Sequence, residues 1–352
     1  MRARKLGVVI GEHPTGPDNA ITDVAGVRVG HTTLQDGDGI NTGVTIVIPH
    51  DDIWTEPLFA GSHVLNGSGE LTGLEWIRES GELTSAIGLT NTHSVGVVRD
   101  ALVAEQVRVR GDGVYWSLPV VGETYDGFLN DINGFHVKPE HVRAALDSAA
   151  AGPVAEGNVG GGTGMICHGF KGGIGTASRI LDYTVGVLVQ ANHGRRERLR
   201  INGTPITQPS VPVPAYPPGF KPGSGSIIVI VATNAPLLPH QCQRLAQRSA
   251  LAVGRLGGTG EQYSGDLMLA FSTGNRGIPP YGIVEDVTAI QPEIPVRMVG
   301  PALMDLLFDL TIEATEEAIV NAMVAAHTVT GYRGYTAHAL DHHLLTSALQ
   351  ET

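Results

Sequence analysis

Four short runs of the chain, residues 43–48, 185–191, 227–232 and 267–271, are aliphatic and largely β-branched. Each is bounded by Gly, Asn, Pro or Ser, which predicts strands covered on both faces rather than strands with one wet face. Apolar positions at helical spacing predict helices over residues 72–79, 139–149, 239–256 and 302–326. The third starts near Pro239 and stops at Gly257-Gly258, the punctuation a helix needs at its two ends. In the fourth, Thr315 precedes Glu316 and Glu317 as a capping residue would, so the run divides naturally into two helices near Ala314. Strands and helices alternate irregularly, without the even spacing of a barrel or a doubly wound sheet. Helices layered over stacked sheets fit this order better.

One stretch has neither period. Residues 208–225 read QPSVPVPAYPPGFKPGSG, with six prolines, which predicts an extended, exposed connection. It runs directly into Ser226 and the most apolar strand of the protein.

With 42% of its 352 residues hydrophobic, the chain can bury a substantial core. Its 47 glycines and 5% aromatics favour a compact enzyme with sharp turns and close backbone packing. A net charge of −12 disfavours phosphate backbones, so nucleic acid is not an expected partner. Arg195, Arg196, Arg198 and Arg200 form a local basic stretch that reads as a solvated strand end or turn. Cys167 and Cys242 stand in unrelated contexts and give neither a disulfide framework nor a cysteine zinc site, so both read as buried thiols. No run approaches the roughly 20 apolar residues of a membrane span. The apolar residues 6–10 after the basic start are too few for a signal peptide, and a cytoplasmic protein is expected.

The chemistry concentrates at Gly225-Ser226. Self-cleavage by an N→O acyl shift needs a hydroxyl beside an approachable carbonyl, and glycine before the serine removes the Cβ that would block attack. Cleavage would leave Ser226 with a free α-amine of pKa about 7.7–8.0, able to take the proton of its own hydroxyl. By itself a Gly-Ser dipeptide just as well ends a loop.

The neighbourhood is more specific. The run GSGSIIVIVATNAPLLPHQ resembles the processing site of the L-aminopeptidase/D-alanine-esterase-amidase and β-peptidyl aminopeptidase family. The similarity continues through NAITDVAGVRVGHTTL, NGSGELTG, VVGETYDGFLND, NVGGGTGMICHGFKGGIGTAS, VGVLVQANHG and YSGDLMLAFST, blocks that span most of the chain in one order. The resemblance implies an α+β fold, a four-layer αββα sandwich like that of N-terminal nucleophile hydrolases. It implies a cut between Gly225 and Ser226 into fragments 1–225 and 226–352, with Ser226 as nucleophile. It gives Ser264 and Asp266 as a polar relay, where some relatives carry glutamate at the position of Asp266. Asn192 becomes an oxyanion donor, Tyr125 an active-site tyrosine, and Glu123 the carboxylate that binds the substrate's ammonium. The implied substrates are small peptides or aminoacyl amides and esters. The implied assembly is a homotetramer of fragment pairs, with no metal or organic cofactor.

Spacing alone adds that residues i and i+2 of an extended segment face one side, so Glu123 and Tyr125 could share a pocket, as could Ser264 and Asp266. The glycines 160–164 lack the G-x-x-x-x-G-K-[ST] order of a phosphate loop and read as close packing. His338, His342 and His343 lack an H-E-x-x-H context and read as a surface helix. No G-x-S-x-G elbow marks a Ser-His-Asp hydrolase. Two other readings stand beside this one. An acyltransferase of the ornithine acetyltransferase type would use threonine at the junction, and a non-catalytic binding relative would not cut itself.

Overall fold

In the computed structural model, which describes residues 1–350 except 38, 112, 114, 115, 217–222, 224 and 280–292, all four apolar runs are strands. The first sheet orders β1 (Arg28–Asp36), β2 (Ile40–Ile48), β5 (Ile87–Asn91) and β6 (Val120–Thr124). The second orders β4 (Glu82–Leu83), β3 (Leu58–Gly67), β14 (Gly265–Ser272), β13 (Ile227–Thr233), β10 (Thr184–Ala191) and β9 (Gly173–Ile180). Two-residue ribbons pair β7 (Ile166–Cys167) with β8 (Phe170–Lys171), β11 (Arg200–Ile201) with β12 (Thr204–Pro205), and β15 (Val329–Thr330) with β16 (Thr336–Ala337). The helices are α1 (Leu74–Ser80), α2 (Val95–Arg110), α3 (Pro139–Asp147), α4 (Pro239–Arg255), α5 (Met304–Val324) and α6 (His342–Gln350).

Side-chain alternation along β13 explains the layering. Ile228 and Ile230 join Val47, Ile87 and Leu89 of the first sheet in one buried cluster. Val229 and Val231 face the other way, into a cluster with Leu245 of α4 and Leu307, Ala314 and Ala318 of α5. A Cβ on Gly122 of β6 would lie 3.1 Å from Ile228, and one on Gly175 of β9 would lie 2.0 Å from the Ala318 carbonyl. Glycine therefore sets the spacing of sheet to sheet and of sheet to helix. Val98 and Leu102 of α2 and Val142 and Ala145 of α3 cover the outer face of the first sheet. The result is the αββα sandwich that the resemblance implied.

Three readings from the sequence need correction. Residues 304–324 form one helix, not two, because Thr315 hydrogen-bonds back to the Thr311 carbonyl at 2.7 Å instead of capping a new start. Glu317 is buried against Arg179 of β9, with Oε2 2.8 Å from Nη2, while Arg179 Nε reaches Glu313 at 2.9 Å. This buried ion network is also why β9 was invisible as an apolar run: its sequence is GIGTASRI. Second, Arg196 is not solvated. It donates to the carbonyls of His168, Gly169 and Val211 and stacks 3.3 Å over the Phe170 ring, and burial lowers its pKa to about 10. The proline-rich connection is exposed at residues 209, 210, 212, 213 and 215, as expected, and is anchored on either side of them: Gln208 pairs with the backbone of Asp341, and the Tyr216 ring meets Phe128 edge-on at 5.2 Å. The glycines 160–162 form a buried 3-10 turn, as expected from close packing, with no room for a Cβ on Gly161 or Gly162. Third, His338 precedes α6, so the three histidines do not share a helix. Among the described residues no helix is long and apolar enough to cross a membrane.

Arg179 holds two buried carboxylates of α5 against the sheet. Arg179→Met should cost about 1.5–3 kcal/mol, because it removes the buried guanidinium that bridges them, while Glu317 keeps Arg4 and Glu313 keeps His13. Denaturant unfolding of the two proteins measures it, and a loss below about 1 kcal/mol would show that the network does not hold the helix layer.

Candidate active site

Ser226 is the residue immediately before β13, and β13 lies between β10 and β14 in the middle of the larger sheet. Ile227 pairs with Ala191 on the antiparallel side and with Asp266 on the parallel side. These two registers bring three distant segments to one point: the end of β10 with Asn192, the start of β14 with Ser264 and Asp266, and the junction itself.

Ser226 Oγ accepts the Gly265 N–H at 3.0 Å, and the Ser226 carbonyl accepts the Asn192 N–H at 3.0 Å. The Ser264 hydroxyl lies 2.5 Å from Asp266 Oδ1 and in short hydrogen-bond contact with the Gly225 carbonyl. A β-bulge between Asp266 and Leu267 in the pairing with β3, together with Asn66 Nδ2 bonded to the Ser264 and Glu261 carbonyls, aims this turn. Burial pushes the Asp266 carboxyl up to about 6, with Glu261 adding to the rise, against hydrogen bonds from Ser264 and the Ile227 N–H.

Asn192 is held in one amide orientation. Its Oδ1 accepts the Ile166 N–H at 2.7 Å, and its Nδ2 donates to the Tyr125 carbonyl at 3.0 Å. One Nδ2 hydrogen is left over. A Cβ on Gly225 would sit 2.9 Å from that nitrogen and 1.7 Å from the Asn192 carbonyl oxygen. Glycine at 225 is thus demanded by the approach of Asn192.

Glu123, on β6, is buried from the other sheet. Its Oε1 accepts the Glu70 N–H at 3.0 Å and its Oε2 accepts the Thr92 hydroxyl. Burial raises its pKa, and the two donors oppose the rise. A Cβ on Gly69 would lie 2.9 Å from Glu123 Oε1 and 3.0 Å from Gly265 Cα, so the carboxylate lies just across Gly69 from the residue that holds Ser226. Tyr125 has different neighbours. The strand ends at Thr124, the Tyr125 ring packs edge-on to Phe128 at 5.6 Å, and its carbonyl is what steadies Asn192. Sequence reasoning missed Gly265, Glu70 and Thr92 as individual contributors, since two of them act through backbone N–H groups that leave no side-chain signal.

The layered fold and the serine opening its central strand put the chain in the class of N-terminal nucleophile serine hydrolases. Residues 19–337 match peptidase family S58, and the chain belongs to that family. It is 48% identical to beta-peptidyl aminopeptidase BapA of Sphingosinicella microcystinivorans, over 99% of this chain and 92% of that protein. A solved beta-aminopeptidase of Burkholderia sp. superposes with a TM-score of 0.94 at 53% identity, covering 100% of this chain and 99% of that one. The L-aminopeptidase D-Ala-esterase/amidase of Ochrobactrum anthropi, described as a variant of the Ntn hydrolase fold, gives 0.89 at 42% identity, covering 99% and 98%. The chain is a serine aminopeptidase of this kind.

Because a side chain at residue 225 would collide with the Asn192 backbone, Gly225→Ala should push the junction away from Asn192 and slow fragment formation at least tenfold. A time course on a denaturing gel reads this directly. Cleavage at the native rate would mean that Asn192 does not crowd the junction.

Proposed function

We propose that the chain cuts its own Gly225–Ser226 bond into fragments 1–225 and 226–352, and that Ser226 then releases N-terminal residues from small peptides, amides or esters. The observation that carries this reading is the Ser264 hydroxyl on the Gly225 carbonyl, a donor aimed at the oxygen where charge develops when Ser226 attacks. In the cut, Ser226 Oγ bonds to the Gly225 carbonyl carbon, the C–N bond breaks, and the hydroxyl proton ends on the Ser226 nitrogen. Water then hydrolyses the ester, leaving a carboxylate on Gly225 and a free amine and hydroxyl on Ser226. The fragments stay together, because β13 and β14 of one lie between β3 and β10 of the other.

In turnover the amine takes the hydroxyl proton, Ser226 attacks the substrate carbonyl, and the spare Asn192 N–H steadies the oxyanion. Ser264 and Asp266 orient the nucleophile and its amine, and Tyr125 fixes Asn192 from its carbonyl side. Glu123 accepts the substrate ammonium. A carboxylate offers about four lone-pair directions, and Glu70 and Thr92 use two. The relatives at 48% and 53% identity carry β-peptidyl and β-aminopeptidase names, while the L-aminopeptidase stands at 42%. This favours β-amino residues at the substrate's N-terminus. The reaction needs no metal or organic cofactor, and the assembly we propose is a homotetramer of fragment pairs.

Intact-protein mass spectrometry tests the nucleophile. The native chain should give two fragments, the second beginning Ser-Ile-Ile, and Ser226→Ala should stay at full length, folded and inactive. Cleavage in that variant sinks the assignment, and a fragment beginning Ser-Gly-Ser would move it to Ser224, which lies outside the described residues.

A pH dependence follows from one hydrogen. Ser264 has a single hydroxyl proton but two acceptors in reach, the Gly225 carbonyl and Asp266. Both contacts are hydrogen bonds only when Asp266 is protonated and donates to Ser264, leaving the Ser264 proton for Gly225. With Asp266 raised to about 6, that state is populated below pH 6 and lost above it. Self-cleavage should slow as pH rises through about 6. In Asp266→Asn, whose amide always donates, this dependence should vanish. A native cleavage rate that climbs through pH 6 would reverse the assigned proton.

A further inference from the structure

Directly behind Asn192 lies a group of side chains that the reaction does not use. Cys167, His168 and His193 are all buried, and the Cys167 Sγ and one nitrogen of each ring lie within 4.8 Å of one another. Cys167 Sγ is 3.9 Å from His193 Nδ1, and the two imidazole rings meet edge-on with centroids 5.1 Å apart. The hydrogen-bonding of His168 is telling. Its Nδ1 faces the Arg195 carbonyl at 3.1 Å, and a carbonyl only accepts, so the proton is on Nδ1. Nε2 then carries a bare lone pair, and it has no hydrogen-bond partner; nor has His193 Nε2. A ring that donates one nitrogen to a backbone carbonyl and offers the other is how metal-ligating histidines are held.

The backbone also fixes these side chains in place. His168 sits at φ +48 and Gly169 at φ +69 in the tight turn between β7 and β8, with the His168 N–H bonded to the His193 carbonyl at 2.6 Å. Gly194, also at positive φ, lets the His168 ring pack directly against it, since a Cβ there would lie 2.4–2.6 Å from three atoms of the ring.

We propose that Cys167, His168 and His193 form a binding site for a thiophilic d¹⁰ metal ion, Zn²⁺ or Cu⁺, whose occupancy restrains Asn192 and inhibits the enzyme. Thiolate and imidazole together select these ions over Mg²⁺ or Ca²⁺. Binding exchanges the Cys167 S–H proton, released to solvent, for a metal–sulfur bond. With Zn–S of about 2.3 Å and Zn–N of about 2.0–2.1 Å, a tetrahedral site spaces sulfur and nitrogen about 3.5 Å apart, somewhat closer than the distance here. Closing it draws together the two segments that hold Asn192. Cys167 follows Ile166, whose N–H fixes Asn192 Oδ1, and His193 follows Asn192 itself.

The experiment titrates the purified, processed protein with Zn²⁺, and separately with Cu⁺ under anaerobic conditions. Retained metal per chain is measured after gel filtration, and turnover of an aminoacyl anilide is followed alongside. One ion per chain, with turnover at least tenfold slower at full occupancy, is expected from one of the two arms, and that arm identifies the ion. Cys167→Ala should abolish both effects, and His168→Asn, which tolerates the same positive φ, should weaken binding about tenfold or more. Cobalt(II) loaded into the native protein should show a thiolate charge-transfer band, a readout that needs no variant to fold. Failure to retain either ion, retention unchanged in Cys167→Ala, or cobalt bound without the thiolate band would overturn the site. Retention with undiminished turnover would overturn the coupling to Asn192. Metal retention and the cobalt band stand apart from the proposed nucleophile, so their failure is distinguishable from failure of that assignment.

Discussion

The hydrogen-bonded ladders on the two sides of β13 position Ser226, and most of the site follows from them. Ala191 across from Ile227 brings Asn192 beside the junction, and Asp266 across from the same residue brings in the Ser264 turn. Sliding β13 by one residue would move Ser226 by about 3.3 Å and turn its side chain to the opposite face. Such a slip is strongly opposed. It would exchange Ile228 and Ile230, packed between the sheets, with Val229 and Val231, packed under α4 and α5. Core packing on two faces thereby fixes the placement of Ser226.

Close approach is the second constraint, and the protein meets it with glycine at particular positions. Gly122 and Gly175 let the layers touch, Gly69 leaves room between Glu123 and Gly265, and Gly225 lets Asn192 reach the junction. Each replaces a side chain with backbone contact, so the polar groups of the site are gripped by main-chain donors such as the N–H groups of Gly265, Glu70 and Ile166. Main-chain donors on packed strands are preorganised, which suits groups that must meet developing charge without rearranging.

Burial supplies the electrostatics. Asp266 and Glu123 are both raised by desolvation, yet each is partly held in check by hydrogen bonds from its immediate neighbours. The balance puts Asp266 at about 6, so that it can either donate a hydrogen bond to Ser264 or accept one from it. The Cys167–His168–His193 group lies in the same dry interior and shares the segments that carry Asn192, so the reaction site and the candidate metal site are mechanically joined.

The sequence alone determined the four buried strands, the placement of a serine at the mouth of the most apolar one, and the family to which these blocks belong. Apolar, β-branched runs have few ways to be buried, and the motif blocks carry the chemistry in order. It could not reveal β9, whose polar residues are inside because Arg179 meets Glu313 and Glu317 there, nor the unbroken α5, where Thr315 bonds back along its own helix. It read Arg196 as solvated because nothing in the chain announces three carbonyls and a phenyl ring waiting for it. Tertiary structure decided which partners meet: Glu123 across Gly69 from Gly265, the Tyr125 carbonyl on the Asn192 amide, and two histidines converging on a cysteine. Those pairings join residues far apart in the chain, and local patterns of polarity encode burial well but contain no record of which distant group will lie opposite.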